Sequence, residues 1–316
     1  MGLLIDGVWH DRWYDTEKSG GRFERQPSRF RDRITADGSS GFPAEAGRYH
    51  LIVSLACPWA HRTLIIRRLK KLEEVISLAV VDPIMGDEGW VFAGEGEPVT
   101  GVRRLYELYT LACPDYSGRV TVPLLWDRKT GTIVNNESSE IIRFFNREFD
   151  AFGERSVDFC PPELLAVIDR INAFVYERIN NGVYRCGFAT TQQAYEEACR
   201  QLFAALDQIE ELLSRQRYLV GNRLTEADWR LFTTLVRFDA VYYGHFKCNL
   251  RRIADYPHLF GYLRELYQWP GVADTVDFAH IKQHYYRSHR QINPTGIVPL
   301  GPVLDLTAPH GRDRLG

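Results

Sequence analysis

Ala56-Cys57-Pro58-Trp59-Ala60-His61-Arg62 is the stretch of this 316-residue chain where side-chain type and spacing point most directly to chemistry. It lies between a β-rich run, Tyr49 to Leu55, and an amphipathic stretch, Trp59 to Lys71. A cysteine at a helix start faces unpaired N–H groups and the positive end of the helix dipole. These stabilise the thiolate and lower a thiol pKa from about 8.5 by one or more units. Pro58 suits the first helical turn, where its missing N–H costs nothing. The fourth motif position is Ala60 rather than a second cysteine, so Cys57 cannot close an internal disulfide with a neighbour. If Cys57 attacks a sulfur, an external thiol must clear the mixed disulfide. In a reducing cytoplasm that thiol is glutathione or a relative. A buried structural cysteine is the competing interpretation. His61 is the nearest possible base, or simply a helix-face histidine.

Other residues suggest a pocket for that thiol. Thr121-Val122-Pro123-Leu124-Leu125 puts a proline at a strand start, where Pro is tolerated. In thioredoxin-like sheets such a proline is cis and faces the catalytic cysteine, leaving the backbone of Val122 to pair with a peptide such as glutathione. Glu137-Ser138 opens a helix: N–H groups and the Ser138 hydroxyl could hold a carboxylate, and Glu137 an ammonium. Simple N-capping by Ser138 is compatible with that role. Trp90, in a glycine-rich insertion, and Arg119, before the strand, could add a stacking wall and a cation. His280 and His284 have the i, i+4 spacing of metal ligands, but no acidic partner completes a set, which leaves packing or surface roles. The basic run Arg62, Arg67, Arg68, Lys70, Lys71 reads as a solvated helix face.

The elements that must position these residues follow from periodicity. Strand, helix and a second strand (Val75 to Val81) form a βαβ unit with a parallel sheet. After an insertion at 82–118 come two strands, Val122 to Trp126 and Thr132 to Val134, joined by a hairpin at Asp127-Arg128-Lys129-Thr130-Gly131, and then a helix. That order is the thioredoxin topology. From Pro161 only helical periodicity appears, with Thr225-x-x-Asp228 as a capping box. The expectation is a glutathione transferase architecture: an α/β thioredoxin-like domain at 48–152 and an all-α domain at 161–290. An extended N-terminal arm at 1–47 and a coil tail at 291–316 flank them.

Composition narrows the classes. The 39 basic and 41 acidic side chains give a formal charge of −2, which argues against a general nucleic-acid binder. The six cysteines are scattered without C-x-x-C pairs, which excludes a disulfide-dense scaffold and argues against structural zinc. No apolar run approaches a membrane span, and neither a signal peptide nor a myristoylation pattern is present. A cytoplasmic protein that binds no membrane is the expectation.

Longer stretches carry a resemblance. They include Ile5-Asp6-Gly7-Val8-Trp9, Ser54 to Arg62, Gly118 to Pro123, Asn136-Glu137-Ser138 and Ile179-Asn180-Asn181-Gly182-Val183-Tyr184. Further along come Gly187 to Thr191, Gly221 to Asp228, Arg287-Ser288-His289 and Ile292 to Ile297. Together they resemble the glutathionyl-hydroquinone reductases, the Xi class of the glutathione transferase superfamily, over nearly the whole chain. The resemblance implies that Cys57 is the nucleophile and that Trp90, Arg119, Val120, Thr121, Val122, Glu137 and Ser138 hold glutathione. It implies that Tyr184 is the proton donor, that Tyr242 and Tyr285 line the quinol side and lower the thiol pKa, and that the protein is a homodimer. From the sequence alone, Tyr184 falls in a turn after a helix, and Tyr242 and Tyr285 fall on helical surfaces. Glutathione is then a co-substrate, with no bound cofactor and no metal. Two alternatives share the cysteine: an omega-type thioltransferase or dehydroascorbate reductase, and a non-enzymatic glutathione-domain scaffold.

Overall fold

The computed structural model describes residues 2–315, which divide into two compact units. The first comprises residues up to Trp13, Gln26–Asp158 and Ala279–Ser288; the second comprises Tyr14–Arg25, Phe159–Phe278 and His289 onward.

The first unit opens with strands β1 (Leu3–Ile5) and β2 (Val8–His10). They form a hairpin across Asp6 and Gly7, both at positive φ (46° and 76°), as a tight Asp-Gly turn requires. The segment expected to be an extended arm therefore carries regular structure. The Asp-Gly pair between apolar residues was the sequence signal for it. Next come β3 (Tyr49–Val53), α1 (Pro58–Leu69) and β4 (Ser77–Val80). The 82–118 insertion is more than loop: it contains α2 (Leu105–Ala112) and reaches into β5 (Gly118–Arg119). Leu105, Leu108 and Tyr109 are the buried stripe of α2, an i, i+3, i+4 pattern that the glycine-rich surroundings obscure. Then follow β6 (Leu124–Asp127), β7 (Thr132–Asn135) and α3 (Ser138–Arg147).

The main sheet has the order β4-β3-β6-β7, with β3 and β4 parallel and the other pairs antiparallel, as the βαβ–ββα pattern predicts. β3 is buried throughout, and α1 packs against α3. A second sheet, β2-β1-β5, pairs Leu3 with Arg119 and so ties the N-terminal hairpin to the strand that precedes Val120. Trp9 reinforces this tie: its ring stacks on Tyr106, with centroids 4.8 Å apart, and its Nε1 donates to the Asp87 carbonyl.

The second unit is helical: α4 (Leu165–Val175), α5 (Asn181–Phe188), α6 (Gln192–Arg215), α7 (Glu226–Arg237) and α8 (Pro257–Tyr267). π-helical turns at Tyr176–Asn180 and Phe238–Tyr242 interrupt the ladder, a distortion common at functional sites. The Thr225/Asp228 capping box forms, with the Thr225 N–H donating to Asp228 Oδ2 at 2.8 Å. The tail is coil except for a 3-10 turn at Asp313–Leu315, and is tethered by the buried Arg312, which donates to the carbonyls of Leu213, His258, Gln216 and Arg217. Helix α9 (Phe278–Ser288) continues the helical periodicity, yet its residues 279–288 belong to the first unit.

Candidate active site

Cys57 is the N-cap of α1, in extended conformation (φ −75°, ψ 119°), with Pro58 at the first helical position. Its backbone N–H donates to the Ser54 carbonyl at 3.1 Å, closing a tight turn off the end of β3. The Ala60 N–H donates to Sγ at 3.5 Å, the N-cap contact that a thiolate would strengthen. As a thiol, Sγ donates to the Val122 carbonyl at 3.4 Å. Val122-Pro123 is a cis peptide, so the strand-start proline has the conformation expected. Cys57 is half-buried, and all six cysteines are free thiols. The Cys186 thiol is drawn down by its contact with Cys199 but raised more by Cys248 and by burial, the Cys199 thiol is raised by Cys186 and by burial, and an Asp115 carboxylate at 3.2 Å holds the Cys113 thiol up. His61 is buried within α1.

The segment Arg119 to Val122 runs beside this turn. Val120 and Val122 are buried, and Thr121 is fixed by Tyr109. The Tyr109 hydroxyl donates to the Thr121 carbonyl (2.8 Å) and accepts from both the Thr121 N–H (3.1 Å) and Asn136 Nδ2 (3.1 Å). One phenol on α2 thus sets the spacing between the Thr121 backbone and the start of α3, a link between residues with no shared motif. The Arg119 guanidinium donates to the carbonyls of Arg12 (2.6 Å) and Trp13 (3.0 Å), so it holds the arm.

At the start of α3 the cap is Glu137, not Ser138: Glu137 Oε1 accepts from the Ser139 N–H at 3.1 Å and the Ser139 hydroxyl at 2.9 Å. Burial pushes the Glu137 carboxyl up, but the Ser139 bonds, the Arg62 charge and the Ser28 hydroxyl outweigh it and leave it below the usual range. Ser138 is buried, and Arg62 Nη1 donates to its hydroxyl at 3.4 Å. The basic run of α1 is therefore not a uniformly solvated face. Arg62 is only 1% exposed, and Lys70 is buried against Asp150 (2.8 Å) and the Val157 carbonyl (2.7 Å). Arg62 is the residue that sequence reasoning missed here, since a charge in a basic run gives no local sign of burial.

Trp90 is buried with its ring stacked on His284, centroids 4.8 Å apart and planes 20° from parallel. The insertion around it is pinned through Glu97, whose Oε1 lies 2.8 Å from His50 Nε2 on β3. Tyr285, next to His284 on α9, is 1% exposed rather than on the surface.

Tyr184 and Tyr242 belong to the second unit. Tyr184 lies within α5, not in a turn, and Tyr242 ends the second π-turn and is fully buried rather than surface-lying. Their ring centroids are 6.0 Å apart, and both pack on Phe246, which stacks on Tyr242 at 5.4 Å. Gly187 permits that packing, since a Cβ there would meet the Phe246 ring at 2.2 Å. Among the described residues, no group of three or more His, Cys, Asp or Glu is arranged to hold a metal, and no helix is long and apolar enough to cross a membrane.

Known proteins are similar to this chain. Residues 56–148 match the family glutathione S-transferase, N-terminal domain, and residues 192–265 match glutathione S-transferase, C-terminal domain. The chain is 57% identical to the glutathionyl-hydroquinone reductase YqjG of Escherichia coli K12, over 99% of each chain. A glutathione-bound structure of YqjG superposes with a TM-score of 0.91 at 54% identity, covering 99% of both chains. The Xi-class glutathione transferase of Natrialba magadii superposes with a TM-score of 0.93 at 51% identity, covering 100% of this chain and 97% of the other.

Proposed function

Because the chain belongs to the glutathionyl-hydroquinone reductases, the Xi class of the glutathione S-transferase family, we propose that it reduces glutathionyl-hydroquinones with glutathione through Cys57. One observation carries the assignment of Cys57: a half-buried thiol caps α1, accepts the Ala60 N–H and has alanine where a resolving cysteine would stand. Such a thiol attacks sulfur but cannot resolve the product internally.

The Cys57 thiolate attacks the glutathione sulfur of the conjugate. The S–S bond of Cys57–S–S–glutathione forms as the bond from sulfur to the ring carbon breaks. The electron pair goes to the ring carbon, which takes a proton to give the hydroquinone. Tyr184 is the proposed proton donor, since a phenolic hydroxyl can supply the proton that the ring carbon takes up. A second glutathione thiolate then attacks the mixed disulfide, releases glutathione disulfide and restores the Cys57 thiolate, in ping-pong order. Tyr242 and Tyr285 are assigned to the quinol side, where they favour the thiolate.

The glutathione site is assigned to Trp90, Arg119, Val120, Thr121, Val122, Glu137 and Ser138. The depressed Glu137 carboxylate suits the γ-glutamyl ammonium. The Ser138 hydroxyl, backed by Arg62, suits the γ-glutamyl carboxylate. A homodimer acting in the cytoplasm completes the proposal.

Mass spectrometry tests it directly. Wild-type protein mixed with one equivalent of a glutathionyl-hydroquinone, without free glutathione, is expected to gain one glutathione on Cys57 and release one hydroquinone. Release of hydroquinone with no adduct on Cys57 would overturn the mechanism.

A further inference from the structure

The two histidines left unassigned by the reaction, His280 and His284, sit one turn apart on α9 and reach two different parts of the proposed site. His280 is buried, and its Nε2 lies 3.3 Å from Ser54 Oγ. Ser54 is the hinge of the nucleophile turn: its Oγ accepts the Ala56 N–H at 3.2 Å, and its carbonyl accepts the Cys57 N–H at 3.1 Å. His284 is buried too, and stacks on Trp90. Its Nδ1 lies 2.9 Å from the Pro83 carbonyl and 3.3 Å from Ser288 Oγ, and that hydroxyl in turn accepts the Met85 N–H at 2.9 Å. Positions 280, 284 and 288 recur every four residues and so share one face of the helix.

We propose that His280 and His284 are positioning residues for the glutathione-dependent reaction, His280 fixing the turn that presents Cys57 and His284 fixing the insertion that presents Trp90. The segment 279–288 is thus a strap across two elements of the first unit that no local sequence motif connects. The proposal rests on the assignment of Cys57 and Trp90 made above. A hydrogen bond to Ser54 locks the hydroxyl that orders the turn, and a stacked imidazole fixes the plane of the indole. The i, i+4 histidine pair therefore serves geometry rather than metal binding.

The test separates the two arms. His280→Leu, His280→Gln and His284→Leu are compared with wild type in two measurements. One is the rate of alkylation of Cys57 by iodoacetamide, read site by site with Cys113 as the internal reference. The other is kcat and KM for glutathione with a glutathionyl-hydroquinone. His280→Leu is expected to slow Cys57 alkylation and kcat by about tenfold, with KM for glutathione within about twofold of wild type. His280→Gln, whose amide nitrogen can reach the Nε2 position, restores most of the rate. His284→Leu is expected to raise KM for glutathione by about tenfold and leave Cys57 alkylation unchanged.

If His280→Leu fails to fold, His280→Asn takes its place, and its shorter side chain must leave Cys57 slower than His280→Gln does. The proposal is overturned if the 280 and 284 variants shift both readouts alike, if neither moves them, or if glutamine rescues no better than leucine or asparagine. Alkylation needs no quinol conjugate. A protein that failed to reduce the conjugate would refute the proposed function while the 280 arm still reported on the turn.

Discussion

In the first unit the proposed nucleophile is held by backbone: Cys57 touches the Ala60 N–H and the Val122 carbonyl, and its own N–H returns to Ser54. In the second unit Tyr184 is held by rings, packed among Phe23, Phe188, Tyr242 and Phe246 at centroid distances of 5.3 to 6.4 Å. Backbone contacts tolerate side-chain change but bind the site to one turn geometry. Ring contacts depend on side-chain volume and on the edge-to-face or stacked setting of each neighbour, so they change when any one ring is altered. The first arrangement suits a group whose ionisation must be tuned, and the second suits a group presented to a flat aromatic substrate.

The largest expected effect falls on the backbone-held side. Cys57→Ser keeps the N-cap geometry but replaces the thiolate with a poor nucleophile. Turnover is expected to fall to background, on the order of 10⁴-fold or more, while glutathione binding by tryptophan fluorescence survives. Retained activity would break the contrast at its root.

Next comes the polar anchor of the ring-rich unit. The buried Asp228 carboxylate accepts from the Leu219 and Thr225 N–H groups and from the Tyr262 and Thr225 hydroxyls. Asp228→Ala leaves several buried donors unmatched and should cost about 3–5 kcal/mol in thermal or urea unfolding. A melting temperature within a degree of wild type would mean that the rings alone hold this unit.

Tyr184→Phe keeps the ring contacts and removes only the hydroxyl. Quinol release is expected to slow by about 10²-fold, with Cys57 alkylation unchanged. An unaltered kcat would leave Tyr184 a packing residue and favour a general thioltransferase.

The elements also differ in how far the sequence reveals them. Cys57-Pro58, the 127–131 hairpin and Thr225-x-x-Asp228 act within four or five residues, so their chemistry is visible as local pattern. Ser54 with His280, Trp90 with His284, and Tyr109 with Thr121 and Asn136 are joined only by folding, at separations from 12 to 226 residues. Periodicity cannot show which faces will meet. Arg62 and Lys70 were concealed for a related reason: a charged residue looks solvated until its partner, a Ser138 hydroxyl or a Val157 carbonyl, arrives from elsewhere. Tyr242 and Tyr285 read as surface because neighbouring tyrosine pairs carry no sign of which ring turns inward.

The smallest effect gives the finest comparison, because Glu97 in the first unit and Asp228 in the second are buried carboxylates whose ionisation is displaced in opposite directions. Burial pushes the Glu97 carboxyl up, but bonds from His50, the Thr100 hydroxyl and the N–H groups of Val99 and Thr100 outweigh it and hold it at about 2. In Asp228 burial prevails over its hydrogen bonds and pushes the carboxyl up to about 6. Glu97 therefore binds fewer protons folded than unfolded, so its contribution is complete above the ordinary carboxylate range and is lost as pH falls toward 2. Asp228 binds more protons folded than unfolded. Its contribution is complete below about 4 and is lost as pH rises through about 6. The stability of wild type relative to Glu97→Gln should thus decline from pH 4.5 downward, and relative to Asp228→Asn from pH 4 upward. With partial screening, each change is on the order of 1–2 kcal/mol. Urea titrations of the three proteins from pH 3 to 7 read both slopes. Slopes of the same sign would show that the two buried carboxylates are held alike, and the contrast between the units would then not extend to their electrostatics.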